Sequence, residues 1–299
     1  VNFSHLTTET ADPRFAGIDT MSVGELAATM NAADAAVPAA VAGALPQITE
    51  AIEATSERVR AGGRLVYVGA GTPGRLGVLD ASECPPTFGT PPEQVFAIIA
   101  GGESAIVSPR EGAEDDERAG AAAVDAAGVG PLDTVVGIAS SGRTPYVLAA
   151  VRRARELGAL TVGLSCNAGT PLSAAAAHAV EVLVGPEVVS GSTRLKAGTA
   201  QKLVLNMFST IVMVRLGKTY GNLMVDVKAT NGKLRERAVR IVRAITGAGR
   251  EEALAVLDAN GFNVKQAVVA ARFGLAPCDA AARLAGAGGR LREALEERA

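Results

Sequence analysis

Residues 64–86 read Arg64-Leu65-Val66-Tyr67-Val68-Gly69-Ala70-Gly71-Thr72-Pro73-Gly74-Arg75-Leu76-Gly77-Val78-Leu79-Asp80-Ala81-Ser82-Glu83-Cys84-Pro85-Pro86. The short apolar run ending in glycines and a hydroxyl residue describes a buried strand passing directly into a helix start. Backbone N–H groups left open at such a start attract an anion, so a phosphate-binding turn is expected over 69–75, with Gly71 and Thr72 in it. An acidic residue, Glu83, follows a short helix later. Its neighbours Cys84-Pro85-Pro86 make a rigid, fairly apolar setting, which can raise a carboxyl pKa and keep the group protonated. A sugar phosphate, anchored at one end and attacked at the other, has the shape this arrangement suggests.

The pattern repeats outward from this stretch. Short apolar runs at 65–68, 95–100, 134–139, 160–164 and 180–184 alternate with Ala-rich segments long enough to be crossover helices. That alternation predicts an α/β fold with a doubly wound parallel sheet and helices on both faces. Ligands bind such sheets beyond the carboxyl ends of the strands, where the strand order reverses. Upstream, residues 1–20 have no period and contain Pro13, so an extended arm is expected. Ser22-Val23-Gly24-Glu25 has the form of a capping box, placing a helix start near Val23, and Pro38 and Pro46 divide the following Ala-rich stretch into two or three helical pieces. Downstream, 191–202 opens a long helix that Ser192 or Thr193 can cap. Helices near 236–247, 250–258, 264–273 and 278–298 form a small C-terminal appendage. The organisation expected is an arm and helices over 1–60, a binding domain over 61–235 and a helical subdomain over 236–299.

Composition narrows the function classes. The chain has 299 residues, 48% hydrophobic and only 3% aromatic, with a formal charge of −2. Near-balanced charge and few stacking residues give nucleic-acid binding no basic face to rest on. Three cysteines, Cys84, Cys166 and Cys278, lie far apart without a CxxC pair, and the two histidines, His5 and His178, belong to no ligand-spaced cluster, so neither a metal nor a disulfide framework is expected. Cys84 and His178 read as structural. The segment Val1-Asn2-Phe3-Ser4-His5-Leu6 lacks a basic region followed by an apolar stretch, and no run of about 18 apolar residues follows, so a cytoplasmic location and no membrane partner are expected.

A second strand end, Gly137-Ile138-Ala139-Ser140-Ser141-Gly142-Arg143-Thr144-Pro145-Tyr146, echoes the first. Hydroxyls of Thr72, Ser140, Ser141 and Thr144, with nearby amides, could surround one phosphate. Three or four charge-assisted hydrogen bonds, each worth roughly 1.5–3 kcal/mol, would hold it without a lysine. Arg75 and Arg143 could clamp the same anion or pair elsewhere on the surface. The acidic run Glu111-Gly112-Ala113-Glu114-Asp115-Asp116-Glu117 reads, on its own, as a helix start that meets the helix dipole favourably.

Taken together, these motifs resemble the N-acetylmuramic acid 6-phosphate etherases, bacterial members of the sugar isomerase (SIS) fold. The resemblance rests on residues 69–89, on Ser141-Gly142-Arg143-Thr144-Pro145-Tyr146-Val147, on residues 185–202, on Asn222-Leu223-Met224-Val225-Asp226-Val227 and on Thr230-Asn231-Gly232-Lys233-Leu234. It implies a homodimer that needs no cofactor and cleaves the D-lactyl ether at carbon 3 of the sugar phosphate. Glu83 would be the general acid and Glu114 the general base, which reverses the reading of the acidic run. Substrate contacts would come from Gly71, Thr72, Ser140, Ser141, Gly142, Arg143, Thr144, Ser192, Thr193 and Lys196. The helical tail resembles a ubiquitin-associated (UBA-like) bundle with a structural or dimer-forming role. Two positions depart from the family pattern: Pro73 stands where a serine is usual, and Thr8-Glu9-Thr10-Ala11-Asp12-Pro13 lacks the usual Arg-Asn pair before the proline. Two other functions share this fold, an aldose–ketose isomerase and a non-catalytic sugar-phosphate sensor. Lactate release separates both from the etherase.

Overall fold

The computed structural model describes residues 6–296, so the segment 1–5 read for a targeting signal lies outside the described residues. The chain forms two compact units, one of residues 1–82 and 93–209, the other of residues 83–92 and 210–299. Among the described residues no single helix is long and apolar enough to cross a membrane.

The first unit starts with three short 3-10 turns, Thr7–Glu9, Pro13–Phe15 and Ile18–Thr20, where an extended arm was expected. The difference has a long-range cause. Thr7 Oγ1 donates to Asn167 Oδ1 (2.9 Å), Asn167 Nδ2 donates to the buried Thr8 hydroxyl (3.0 Å), and Gly191 N donates to Thr8 O. Helices α1 (Val23–Asp34), α2 (Val37–Gly43) and α3 (Leu45–Arg60) follow. The capping box at Ser22 and Glu25 forms with both of its bonds. Pro38 and Pro46 stand in the first turns of α2 and α3, where the missing N–H would have no helical partner in any case, so each starts a helix.

Five parallel strands make the sheet: β1 (Leu65–Gly69), β2 (Val95–Ile99), β3 (Thr134–Ile138), β4 (Leu160–Ser165) and β5 (His178–Glu181), in the order β2-β1-β3-β4-β5. The fifth strand begins two residues earlier than the sequence suggested, because His178 is already in register with Val162 of β4. Between the strands run α4 (Gly71–Phe88), α5 (Ser104–Val107), α6 (Glu117–Ala126), α7 (Pro145–Glu156) and α8 (Pro171–Ala175). Val66, Val68 and Val135 bury one face of the sheet with Val124 of α6, Val147 and Val151 of α7 and Leu172 of α8. On the other face, fully buried Tyr67 reaches Asp80 of α4. The helix α9 (Lys196–Arg215) closes the unit, with Val204, Leu205 and Phe208 buried.

The start of the sheet is stapled by one ion pair. Asp133, only 5% exposed, accepts from Arg64 Nη2 (2.6 Å), Arg64 Nε (3.1 Å), Arg64 N (2.9 Å) and Gly130 N (3.0 Å). Burial opposes ionisation of this carboxyl, yet the Arg64 guanidinium and two amide donors hold its pKa below the usual value. A depressed native pKa stabilises the fold above the unfolded-state pKa, and that contribution is lost as the pH falls through the native pKa. Asp133→Asn should therefore cost about 1–3 kcal/mol at pH 7. Urea unfolding at pH 7 and then below about pH 4 should show the gap to the wild type closing.

In the second unit, the hairpin β6 (Thr219–Tyr220) and β7 (Leu223–Met224) leads into α10 (Gly232–Thr246), α11 (Arg250–Ala259), α12 (Val264–Phe273), α13 (Pro277–Gly286) and α14 (Leu291–Leu295). Asn231 and Asn263 cap α10 and α12. This helical core extends upstream of the boundary expected near residue 235, because Val225 and Val227 are buried with Val239, Leu257 and Val268. Of the single terminal helix expected over 278–298, residues 297–298 lie outside the described residues, and the rest is two helices, broken where Gly288 and Gly289 take left-handed backbone (φ 59° and 73°).

Candidate active site

The strand order reverses between β1 and β3, so the turns after Gly69 and Ile138, which are paired in register, leave the sheet side by side. Strand spacing puts their backbones about 5 Å apart at that point. At the first turn the strand end and the helix start touch through bare backbone. A Cβ on Gly69 would lie 2.5 Å from Gly74 N, and one on Gly74 would lie 2.8 Å from Gly69 O. This close approach brings the first turn of α4 to the sheet edge, with Gly71 exposed and left-handed (φ 58°) at its head. Its amides form the anion-attracting end of an 18-residue helix, less the donor that Pro73 lacks. Thr72 is half-buried and lies near α9: a Cβ on Gly198 would be 3.5 Å from its methyl group.

The second turn is tied to α9 as well. Gln201, fully buried, donates Nε2 to Ser140 Oγ at 2.9 Å. With a lone pair thus engaged, the Ser140 hydroxyl keeps its proton for another acceptor, the polarity an anion requires. Ser141 Oγ accepts from Arg143 N, Gly142 makes the left-handed turn (φ 64°), and Thr144 stands at the N-cap of α7. Nearby Cys166 is completely buried. Desolvation, reinforced by the charge of Glu187, pushes its thiol up to about 12, which makes it an inert core group.

Helix α9 is capped differently from the expectation. Glu187, 1% exposed, accepts from Lys196 N (3.0 Å) and Ala197 N (2.9 Å), so a buried carboxylate rather than Ser192 or Thr193 closes this helix end. Lys196, expected among the substrate contacts, is itself buried, and its ammonium donates to Val184 O at 2.8 Å. Ser192 and Thr193 are half-buried in the turn before the helix, whose backbone bonds run from Ser192 N to Val189 O and from Thr193 N to Gly191 O.

The acidic run is divided by the fold. Asp116 caps α6 by accepting from Ala119 N (2.9 Å), the role expected of the whole run. Glu114 stands apart on the 3-10 turn Ala113–Asp115, turned out by left-handed Gly112. It lines a crevice of about 230 Å³ with Gly71, Arg75, Arg110 and Glu111. The fold thus joins the helix-start cradle to a carboxylate more than forty residues downstream. Arg75, weighed as a phosphate clamp, donates instead to Ile106 O and Ala105 O (both 2.9 Å) and pins α5 to α4.

Relatives match nearly the whole chain. One from Rubrobacter xylanophilus, an N-acetylmuramic acid 6-phosphate etherase, is 61% identical over 292 residues, covering 98% of this chain and 96% of the relative. The chain belongs to the N-acetylmuramic acid 6-phosphate etherase family. A member from Streptomyces avermitilis is 58% identical, covering 97% of this chain and 93% of its own. Family models for the SIS domain and for the glucokinase regulatory protein N-terminal SIS domain match residues 117–211 and 47–155. A phosphoheptose isomerase from Francisella tularensis superposes with a TM-score of 0.52 at 21% identity, covering 65% of this chain and all of that one, which shows the shared fold.

For an etherase-family chain, the position of Glu83 is informative. It is exposed, so the apolar surround anticipated beside Cys84-Pro85-Pro86 is not supplied by the chain's own residues. At about 1.5 Å per residue it stands roughly 18 Å along α4 from Gly71. One turn before it, Asp80 is buried and accepts from Tyr67 Oη (2.8 Å), Asn206 Nδ2 (2.6 Å) and Ser209 Oγ (3.1 Å). Desolvation raises the pKa of Asp80 against the pull of these donors, and the network fastens α4 to β1 and α9. Sequence reading missed this network, together with Glu187, Gln201 and Arg110. The one available signal was that Asp80, Glu187 and Gln201 are charged or amide residues inside otherwise apolar or small-residue stretches.

Proposed function

We propose that this chain cleaves the D-lactyl ether of N-acetylmuramic acid 6-phosphate, giving N-acetylglucosamine 6-phosphate and D-lactate in cell-wall sugar recycling. The observation that carries this reading is the single crevice shared by Gly71 and Glu114, in a chain 61% identical to an etherase over nearly all its length. The 6-phosphate sits at the first turn of α4, with Thr72, Ser140, Ser141, Gly142, Arg143 and Thr144 around it and Ser192 and Thr193 at its border. With the ring open, the aldehyde acidifies the proton on carbon 2. Glu114 removes that proton, Glu83 protonates the departing lactyl oxygen, and water then adds at carbon 3 while a proton returns to carbon 2. Two carboxylates suffice for these transfers.

A sugar phosphate spans only about 7 Å from phosphorus to carbon 3, by ordinary bond lengths. Glu83, roughly 18 Å along the helix from the cradle of its own chain, is therefore assigned to the site of a second copy. The working enzyme is a homodimer with sites completed across the interface. It works in the cytoplasm, where a phosphorylated amino sugar is retained.

Purified protein given the substrate without nucleotide should release D-lactate. Reaction in heavy-oxygen water should label carbon 3 of the product, and in deuterated water carbon 2. Tight binding of the sugar phosphate with no lactate released would replace the etherase with a sensor, and a ketose product would replace it with an isomerase.

A further inference from the structure

We propose that Arg110 is the specificity-determining residue for the free carboxylate of the lactyl group, an inference that rests on the etherase reading above. Arg110 lines the crevice of Gly71 and Glu114, and it also lines the adjoining one formed by Gly101, Glu111, Ala113, Asp116 and Ala119. Of the two arginines in the first crevice, Arg75 already donates to two carbonyls. Among the described residues, no hydrogen bond or ion pair engages the guanidinium of Arg110. Its stem lies against the loop backbone at Gly101. Gly101 is left-handed (φ 85°), and a Cβ there would lie 3.0 Å from Arg110 Cδ, 3.1 Å from Arg110 Cβ and 3.2 Å from Ala105 Cβ. The absence of a side chain at Gly101 lets the arginine lie across the loop beside the crevice it lines.

The chemistry of the substrate supplies the match. It carries two anions, the phosphate at carbon 6 and the carboxylate on the ether substituent at carbon 3. The helix start at Gly71 suits the first. The second must approach the ether beside Glu114 and Glu111, carboxylates that repel it. A guanidinium on the same wall offsets that repulsion and can receive a carboxylate through two parallel N–H donors. A lactyl group still joined to a peptide has an amide in place of this anion. Arg110 therefore selects substrate whose lactyl carboxylate is free over substrate in which it is tied up as an amide.

The test compares the substrate with its lactyl carboxamide analogue in wild type and Arg110→Gln. Amidation should lower wild-type kcat/KM by about 10- to 100-fold. In Arg110→Gln the unmodified substrate should lose a similar factor, mainly through KM, while amidation should cost less than about threefold. Inhibition by N-acetylglucosamine 6-phosphate, which lacks the lactyl group, should be nearly unchanged, and Arg110→Lys should recover part of the discrimination. An equal penalty for amidation in wild type and Arg110→Gln would overturn the assignment, as would an equal loss of affinity for N-acetylglucosamine 6-phosphate, which would assign Arg110 to the phosphate. A wild type that releases neither lactate from the substrate nor lactamide from its analogue would instead sink the etherase reading on which this one rests.

Discussion

Glu114→Gln and Glu83→Gln should each lower kcat by about two to four orders of magnitude, while affinity for N-acetylglucosamine 6-phosphate changes little. Glutamine keeps the size and polarity of the side chain but can neither remove the proton on carbon 2 nor protonate the lactyl oxygen. The loss therefore falls on the chemical step. A mixing experiment then tests the assignment of Glu83 to a second copy. If one site takes Glu83 from one chain and Glu114 from the other, a dimer of one Glu83→Gln and one Glu114→Gln chain holds one intact site and one doubly defective site. Random reassortment of the two inactive proteins should restore about a quarter of wild-type activity. Mixtures that stay inactive after subunit exchange has been demonstrated would place both carboxylates within one chain, against the rise of α4. Full activity in either single variant would remove that residue from the mechanism.

Glu187→Ala should be among the most destabilising single changes outside the apolar core. It would strip the buried amides of Lys196 and Ala197 of their shared acceptor at the head of α9. Leaving two buried donors without an acceptor costs about 2–6 kcal/mol, a fall of roughly 5 °C or more in the thermal midpoint. Glu187→Gln keeps an acceptor for the amides and should lose less than half as much. Calorimetry on the two variants separates these cases. Equal, small losses in both would mean that the carboxylate contributes little to holding α9.

The parallel sheet was legible because its strands are continuous apolar runs that end in glycine or serine, and the two turns at its edge were legible because each is contiguous in sequence. What escaped was non-local. The cap of α9 lies nine residues upstream of the helix, and the partner that orients Ser140 lies 61 residues downstream. Neither spacing has a local pattern that would reveal it. Lys196, named as a substrate contact only through the family resemblance, is buried with its ammonium donating to a carbonyl, a placement that no local pattern announces. Glu114 was singled out only through family resemblance, because an acidic run before a helix has an ordinary capping explanation, and Asp116 fulfils it. The prolines at 38 and 46 were correctly read as breaks, though their place is at helix starts.

The amide of Asn167 links parts of the chain that are far apart in sequence. Besides holding Thr8, its Nδ2 donates to Ser140 O at 2.9 Å. Thr7 and Thr8 are thereby fastened, through one side chain, to the backbone of the turn proposed to hold the phosphate. A bulky tag or a cleavage site placed just ahead of residue 7 would load that fastening directly, and damage there would register as weaker sugar-phosphate affinity before any loss of folded protein.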